Sequence, residues 1–232
     1  MEILSIDIVN MEDYGKTSKG LVYKIHVKIT DVESRAKEII QSISNKSWIN
    51  NLGVVEQMSY AARAEKTIVK LVTQIFEKVD DTVTEEFGEY LVSESARDSL
   101  INHMDHKFIP LAEIWKEKIT GNPGFDFHTE SSANLITFGE AKYSSNSNPH
   151  TIAINQIVGF IDDKKDIMDF VHLKNFASDE AMQKAINGEK AYVAAFSING
   201  QQYERIFRTA IESDCFEKLL EYPELYLIGV EI

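Results

Sequence analysis

Polar and apolar residues alternate strictly over LVYKIHVKIT, residues 21 to 30: Val22, Lys24, His26 and Lys28 against Tyr23, Ile25, Val27 and Ile29. A period of two belongs to a half-buried strand. MEILSIDIVN ahead of it reads as another strand, and the polar MEDYGKTSKG between them, with two glycines, predicts a hairpin loop. The period then changes. From Asp31 to about Asn45 the pattern is charged and amphipathic, a helix. Residues 56 to 79 contain no Gly or Pro and place Ile68, Leu71, Val72, Ile75, Phe76 and Val79 at helical intervals, a second helix.

Asp80-Asp81 breaks that helix, and Thr82 or Thr84, followed by acids, caps a third running to about Met104. Gly88 lies inside it, where glycine costs about 1 kcal/mol against alanine, so close packing at that point is expected. Residues 107 to 118 fit helix and strand alike. GNPG at 121 to 124 is a turn. Two short strands follow, about 125 to 129 and 134 to 143, joined by Glu130, Ser131 and Ser132. After the polar loop SSNSNP comes a helix with Ile152, Ile154, Ile157, Val158 and Phe160. Beyond Asp162 the pattern reads helix (178–187), strand (191–198), a turn at Asn199-Gly200, helix (about 202–221) and a final strand, LYLIGV.

Strands interleaved with helices make the class α/β (α+β), a mixed central sheet flanked by helices, with an N-terminal β-hairpin. The 232 residues suffice for one domain, or one with a small lobe. Everything that carries a motif lies after residue 79. The division expected is therefore 1–79, strands and helices packed on the core and able to dock a partner, and 80–232, the core itself.

Composition narrows the function. A net charge of -13 and a pI near 4.9 argue against tight autonomous binding to nucleic acid, which draws its strength from Lys and Arg against phosphate. Activity on nucleic acid would need a bound cation, a local basic strip or a basic partner. A single cysteine, Cys215, excludes an internal disulfide and fits a reducing compartment. No segment approaches the roughly 18–20 apolar residues of a membrane span, and the acidic start lacks a basic n-region. The expected location is cytoplasmic, with no membrane partner. Phosphate-loop, GxSxG and dinucleotide motifs are absent from the sequence, which gives ATPase, serine esterase and dehydrogenase readings no footing.

One stretch carries the chemistry: GFDFHTESSANLITFGEAKYS, residues 124 to 144. On its second strand Ile136, Phe138, Glu140 and Lys142 share a face. On its first, Asp126 and His128 share a face opposite Phe125 and Phe127. If the strands are neighbours, Asp126 comes beside Glu140, and two carboxylates meet one ammonium. Hard divalent ions take oxygen ligands of this kind, and a cation relieves the repulsion between paired acids. The competing reading is an ordinary solvated Glu140–Lys142 pair.

Asp126, a gap of 13 residues, then Glu140-Ala141-Lys142 at a strand end resembles the PD-(D/E)xK phosphodiesterase superfamily. Pro123 stands three places before the acid, with Gly124 just upstream of Phe125. EEFGEYL is similar to the superfamily's upstream helix, and AINQIVGF to the helix that follows the ExK strand. More narrowly, GEYL with GFDFH and GEAKY resembles the small nuclease subunit of Hachiman-type antiphage defence systems, which pairs with a larger helicase.

The resemblance implies a restriction-endonuclease-like core over about residues 80 to 165. It implies Mg2+, with Mn2+ as a substitute, on Asp126, Glu140 and the Ala141 carbonyl. Glu89 would complete the site, with Glu86 its rival. Lys142 would assist the water, and Gln156 would position Lys142 or the phosphate. The activity implied is a DNA endonuclease of low sequence specificity controlled by a helicase partner; the alternative is a non-enzymatic adaptor or protein-binding module on the same fold. Of the remaining features, His128 reads as a strand-surface histidine within reach of substrate. His103 and His106 have metal-like spacing without a third ligand. Lys164-Lys165 and Arg205 with Arg208 read as solvated helix faces.

Overall fold

A largely apolar run, AYVAAFSI, broken only by Ser197, forms a central strand buried over all eight residues, as expected where both faces of a parallel sheet are covered. It belongs to a seven-stranded mixed sheet in the computed structural model, which describes residues 1–73, 83–116 and 124–232. In chain order the strands are β1 (Glu2–Ile8), β2 (Leu21–Lys28), β3 (Lys107–Phe108), β4 (Phe127–Glu130), β5 (Ile136–Lys142), β6 (Ala191–Ile198) and β7 (Glu224–Glu231). Their spatial order is β1-β2-β7-β6-β5-β4-β3. Strands β2, β7, β6 and β5 run parallel; β1, β4 and β3 are antiparallel additions at the two edges. All four parallel strands thus bring their carboxyl ends, including Lys142, Ile198 and Glu231, to one end of the sheet.

The N-terminal hairpin is continuous with this sheet, since β2 pairs with β7 from Leu21↔Glu224 to Lys28↔Glu231. Helices flank both faces. One face packs on α1 (Val32–Ser44) and α3 (Glu85–His103), whose Ile39, Ile43, Leu91 and Val92 meet Ile25, Val193 and Ile228. The other packs on α5 (His150–Asp162) and α9 (Tyr203–Glu212), whose Ile154, Ile157, Phe207 and Ile211 meet Phe138, Phe196 and Leu227. Helix α2 (Val54–Leu71) spans the two clusters, with Tyr60 in one and Ala64 and Leu71 in the other. Among the described residues no helix is long and apolar enough to cross a membrane.

Helix boundaries follow their caps. Asp31 accepts from the Ser34 amide at the start of α1, Thr84 from Phe87 at α3, and Ser178 from Ala181 at α8 (Asp179–Ile186); each cap removes one unpaired donor. The second helix begins at Val54, two residues before the expected start, and the expected residues 74 to 79 lie outside the described ones, as do Asp80, Asp81 and Thr82. The ambiguous 107–118 stretch is a two-residue strand, β3, then α4 (Ala112–Trp115), with residues 117 and 118 outside the described ones. Between Asp162 and Ser178 two short helices, α6 (Lys165–Met168) and α7 (Phe170–Leu173), occupy a stretch without a regular pattern. The single helix expected over 202–221 is broken at Ser213, whose hydroxyl caps α10 (Asp214–Glu217).

Candidate active site

Strand β5 is buried from Ile136 to Ala141 and emerges at Lys142. Glu140 is only 1% exposed, an unusual place for a carboxylate. Lys142 Nζ lies 2.8 Å from Glu140 Oε1 and 3.3 Å from Glu89 Oε1 on α3, so the ammonium links the strand end to the helix beside it. The second Glu140 oxygen, Oε2, is buried without a hydrogen-bond partner.

Asp126 meets this group by a route different from the expected one. Strand β4 begins only at Phe127, and the chain bends at Asp126. The Asp126 amide donates to the Gly139 carbonyl at 2.9 Å, and its Oδ2 accepts from the Ala141 amide, also at 2.9 Å. The bend ends the alternation. Phe125 turns into the α5-side cluster, with its ring centroid 5.1 Å from those of Phe138 and Phe160, while Phe127 enters the α3-side cluster. Phe125 and Phe127 therefore do not share a face, a correction to the strand reading. Pro123, with Gly121 and Asn122 of the expected turn, lies outside the described residues.

The β4–β5 ladder ends at Phe127↔Gly139. N–H and C=O of one strand residue face the same edge, so the Ala141 carbonyl faces the edge on which its amide holds Asp126, past the last rung.

Electrostatics couples the four side chains. Burial first, and then the charge of Asp126, raise the Glu140 pKa well above the usual carboxylate range, against the pull of Lys142. Glu89 is raised for the same leading reason, and Lys142 opposes the rise. Burial alone would lower the Lys142 pKa, but Glu140, Asp126 and Glu89 outweigh it and hold the amine protonated. Three carboxylates thus share one ammonium.

Among the described residues no three His, Cys, Asp or Glu side chains are arranged as a ready cluster of metal ligands. What the chain offers is a partial site of hard oxygens: the unpartnered Glu140 Oε2, the Asp126 carboxylate and the neutral Ala141 carbonyl. That donor set suits a hydrated divalent cation. A cleft of about 40 Å³ beside it, lined by Glu86, Glu89, Tyr90, Ser93, Glu113 and Asp126, has room for a few waters.

The close packing expected at Gly88 is real. A Cβ there would sit 2.3 Å from Tyr143 ring atoms, so glycine lets the ring after Lys142 lie on α3. Gly139 is matched in the same way to the Phe127 ring, at 2.3 Å.

Other candidates fall elsewhere. Gln156 is half-buried on α5, and no hydrogen bond joins it to Lys142 or to the three acids. His128 is not at the surface: it is fully buried, with Nε2 3.1 Å from Asp169 Oδ2, and Lys116 bonds the same carboxylate at 2.9 Å. Burial lowers its pKa. His103 ends α3 exposed, whereas Asp105 at φ 55° turns His106 inward onto Thr129 and Tyr226, which separates the two imidazoles. Arg205 and Arg208 are exposed on α9, and Cys215 is free and half-buried. Asp169 and Tyr143 were not singled out in the sequence. Asp169 is 41 residues from His128 with no spacing to link them, whereas Tyr143 adjoins the ExK triplet and faces the glycine of GEYL.

No protein-family profile, curated protein or solved structure matches this chain.

Proposed function

We propose that the chain is a metal-dependent phosphodiesterase, a DNA endonuclease subunit on a restriction-endonuclease-like core. The observation that carries this reading is Glu140, buried with one oxygen unpartnered, electrostatically coupled to Asp126 and bonded to Lys142 at the carboxyl end of a parallel strand. A carboxylate kept in such a place is costly unless something compensates it. A solvated Glu–Lys pair does not explain it, because a pair of that kind keeps its carboxylate in water.

In this reading Asp126, Glu140 and the Ala141 carbonyl hold a magnesium ion, which supplies Lewis acidity and a more acidic water when bound. The Ala141 amide fixes the Asp126 carboxylate. Glu89 and Glu140 hold Lys142 protonated, so its ammonium is a donor for a phosphate oxygen or for the attacking water. Gln156 has no contact that supports a role, and Glu89 is favoured over Glu86 because only Glu89 bonds Lys142.

The charge of -13 adds the partner. A chain this acidic grips a polyanion weakly, which suits a subunit loaded onto DNA by a helicase, and antiphage defence is the setting proposed. The test uses purified protein at low salt with plasmid, linear and single-stranded DNA. Wild type should cleave at least one form with magnesium, the helicase partner should increase the rate, and Glu140→Gln should be inactive while still folded. Undiminished cleavage by Glu140→Gln would remove the basis of the assignment.

A further inference from the structure

Beside Lys142 the carboxyl ends of β5, β6 and β7 open onto a shallow groove of about 590 Å³. Val32, Val83, Tyr143, Ser145, Ile198 and Asn199 line it, with Ser197 and Ile232, and none of these side chains is charged. The cleft on the other side of the site is lined by four carboxylates, Glu86, Glu89, Glu113 and Asp126. The groove beside β1 is also charged, with Glu2, Asp7, Glu204 and Glu231 outnumbering Lys24 and Lys28. On a chain of net charge -13, a surface without charged side chains beside the candidate site is a direction in which a polyanion meets less repulsion.

Its chemistry is equally specific. The Tyr143 ring is backed by Gly88 of α3 and is half-buried. Apolar Val32, Val83 and Ile198 stand with it, and Ser145 is exposed at the rim. The floor is held in shape from within: Asn199 Nδ2 donates to the Ser144 carbonyl at 2.8 Å, and Ser197 Oγ accepts from the Ser144 amide at 3.0 Å. An aromatic ring with apolar walls and neutral polar groups receives an unstacked base, whereas a duplex keeps its base faces hidden.

On this basis, and resting on the phosphodiesterase reading, we propose that the substrate is presented as a single strand, with the base next to the scissile phosphate seated on Tyr143 in this groove. Carboxyl-end crevices of parallel strands are a common place for ligands, and here the crevice is contiguous with Lys142 through Tyr143.

Fluorescence anisotropy at low salt, with calcium in place of magnesium, measures binding of labelled oligo-dT, oligo-rU and a duplex of equal length. Wild type should prefer single strands to duplex, and the ratio of dT to rU binding distinguishes DNA from RNA as the occupant. Ser145→Glu, an exposed change that leaves the fold intact, should weaken single-strand binding about tenfold and Ser145→Lys should tighten it. Tyr143→Leu should weaken it about tenfold through lost stacking. Gln183→Glu, on α8 near the opposite end of β5, should change nothing. Duplex bound as tightly as single strand, or wild-type affinity in both Ser145→Glu and Tyr143→Leu, would overturn the assignment. Failure of the phosphodiesterase reading would register separately, as bound oligonucleotide left uncut when magnesium is restored.

Discussion

Replacing Lys142 by methionine keeps most of the side-chain volume and deletes the charge. Its Nζ bonds Glu140 at 2.8 Å and Glu89 at 3.3 Å, and Glu140 has no other hydrogen-bond partner and almost no exposure. Removing one member of a buried ion pair costs about 3–5 kcal/mol when the survivor stays charged. Glu140 has an alternative, which is to take up a proton. Its pKa is already raised by burial and by Asp126, with Lys142 opposing, so without Lys142 it rises further. A folded-state pKa above the unfolded one contributes stability that is complete below the unfolded pKa and lost as pH rises through the folded value. The loss caused by Lys142→Met should therefore be small near pH 4 and approach about 3 kcal/mol near pH 8. Urea unfolding at both pH values, with unchanged m, measures it. Adding Glu140→Gln to Lys142→Met should abolish the pH-dependent part. An equal loss at both pH values, or less than about 0.5 kcal/mol near pH 8, would refute the coupling.

Further outcomes follow from the same contacts. Magnesium should raise Tm more near pH 8 than near pH 5, because the cation and the proton compete for Glu140; calorimetry with and without EDTA reads this. Gly88→Ala should destabilise by about 1–2 kcal/mol in chemical denaturation, since overpacking against Tyr143 exceeds the helix-propensity gain. His106 is buried and its pKa is lowered by burial to about 4. Its contribution is present above its unfolded pKa and lost as pH falls through the folded one, about 3 kcal/mol in all. His106→Gln should accordingly flatten the acid limb of the stability curve.

Period and caps made most of the scaffold legible. Strict alternation in β2, the largely apolar run of β6 and the threonine before a helical pattern each carry a local physical cause, and the structure places them accordingly. The stretches that did not read are those governed by distant partners. Residues 163 to 177 hold two four-residue helices too short for a period, and Ser213 breaks a helix whose apolar pattern continues past it. The candidate site divides along the same line. Glu140 and Lys142 lie on one strand, so spacing alone brings them together, and Glu89 reaches them because α3 packs on β5. Asp126 arrives through a bend fixed by Gly139 and Ala141, which no alternation rule contains. His128 looked like a surface residue because its partner, Asp169, sits on an element with no readable pattern.

The central claim is that Asp126 and Glu140 share one divalent cation. Manganese titration followed by electron paramagnetic resonance tests it most directly, since free and bound ions are counted separately. The account predicts a single tight ion in the wild type, lost in both Asp126→Asn and Glu140→Gln with the fold retained. Wild-type uptake in either variant would contradict it.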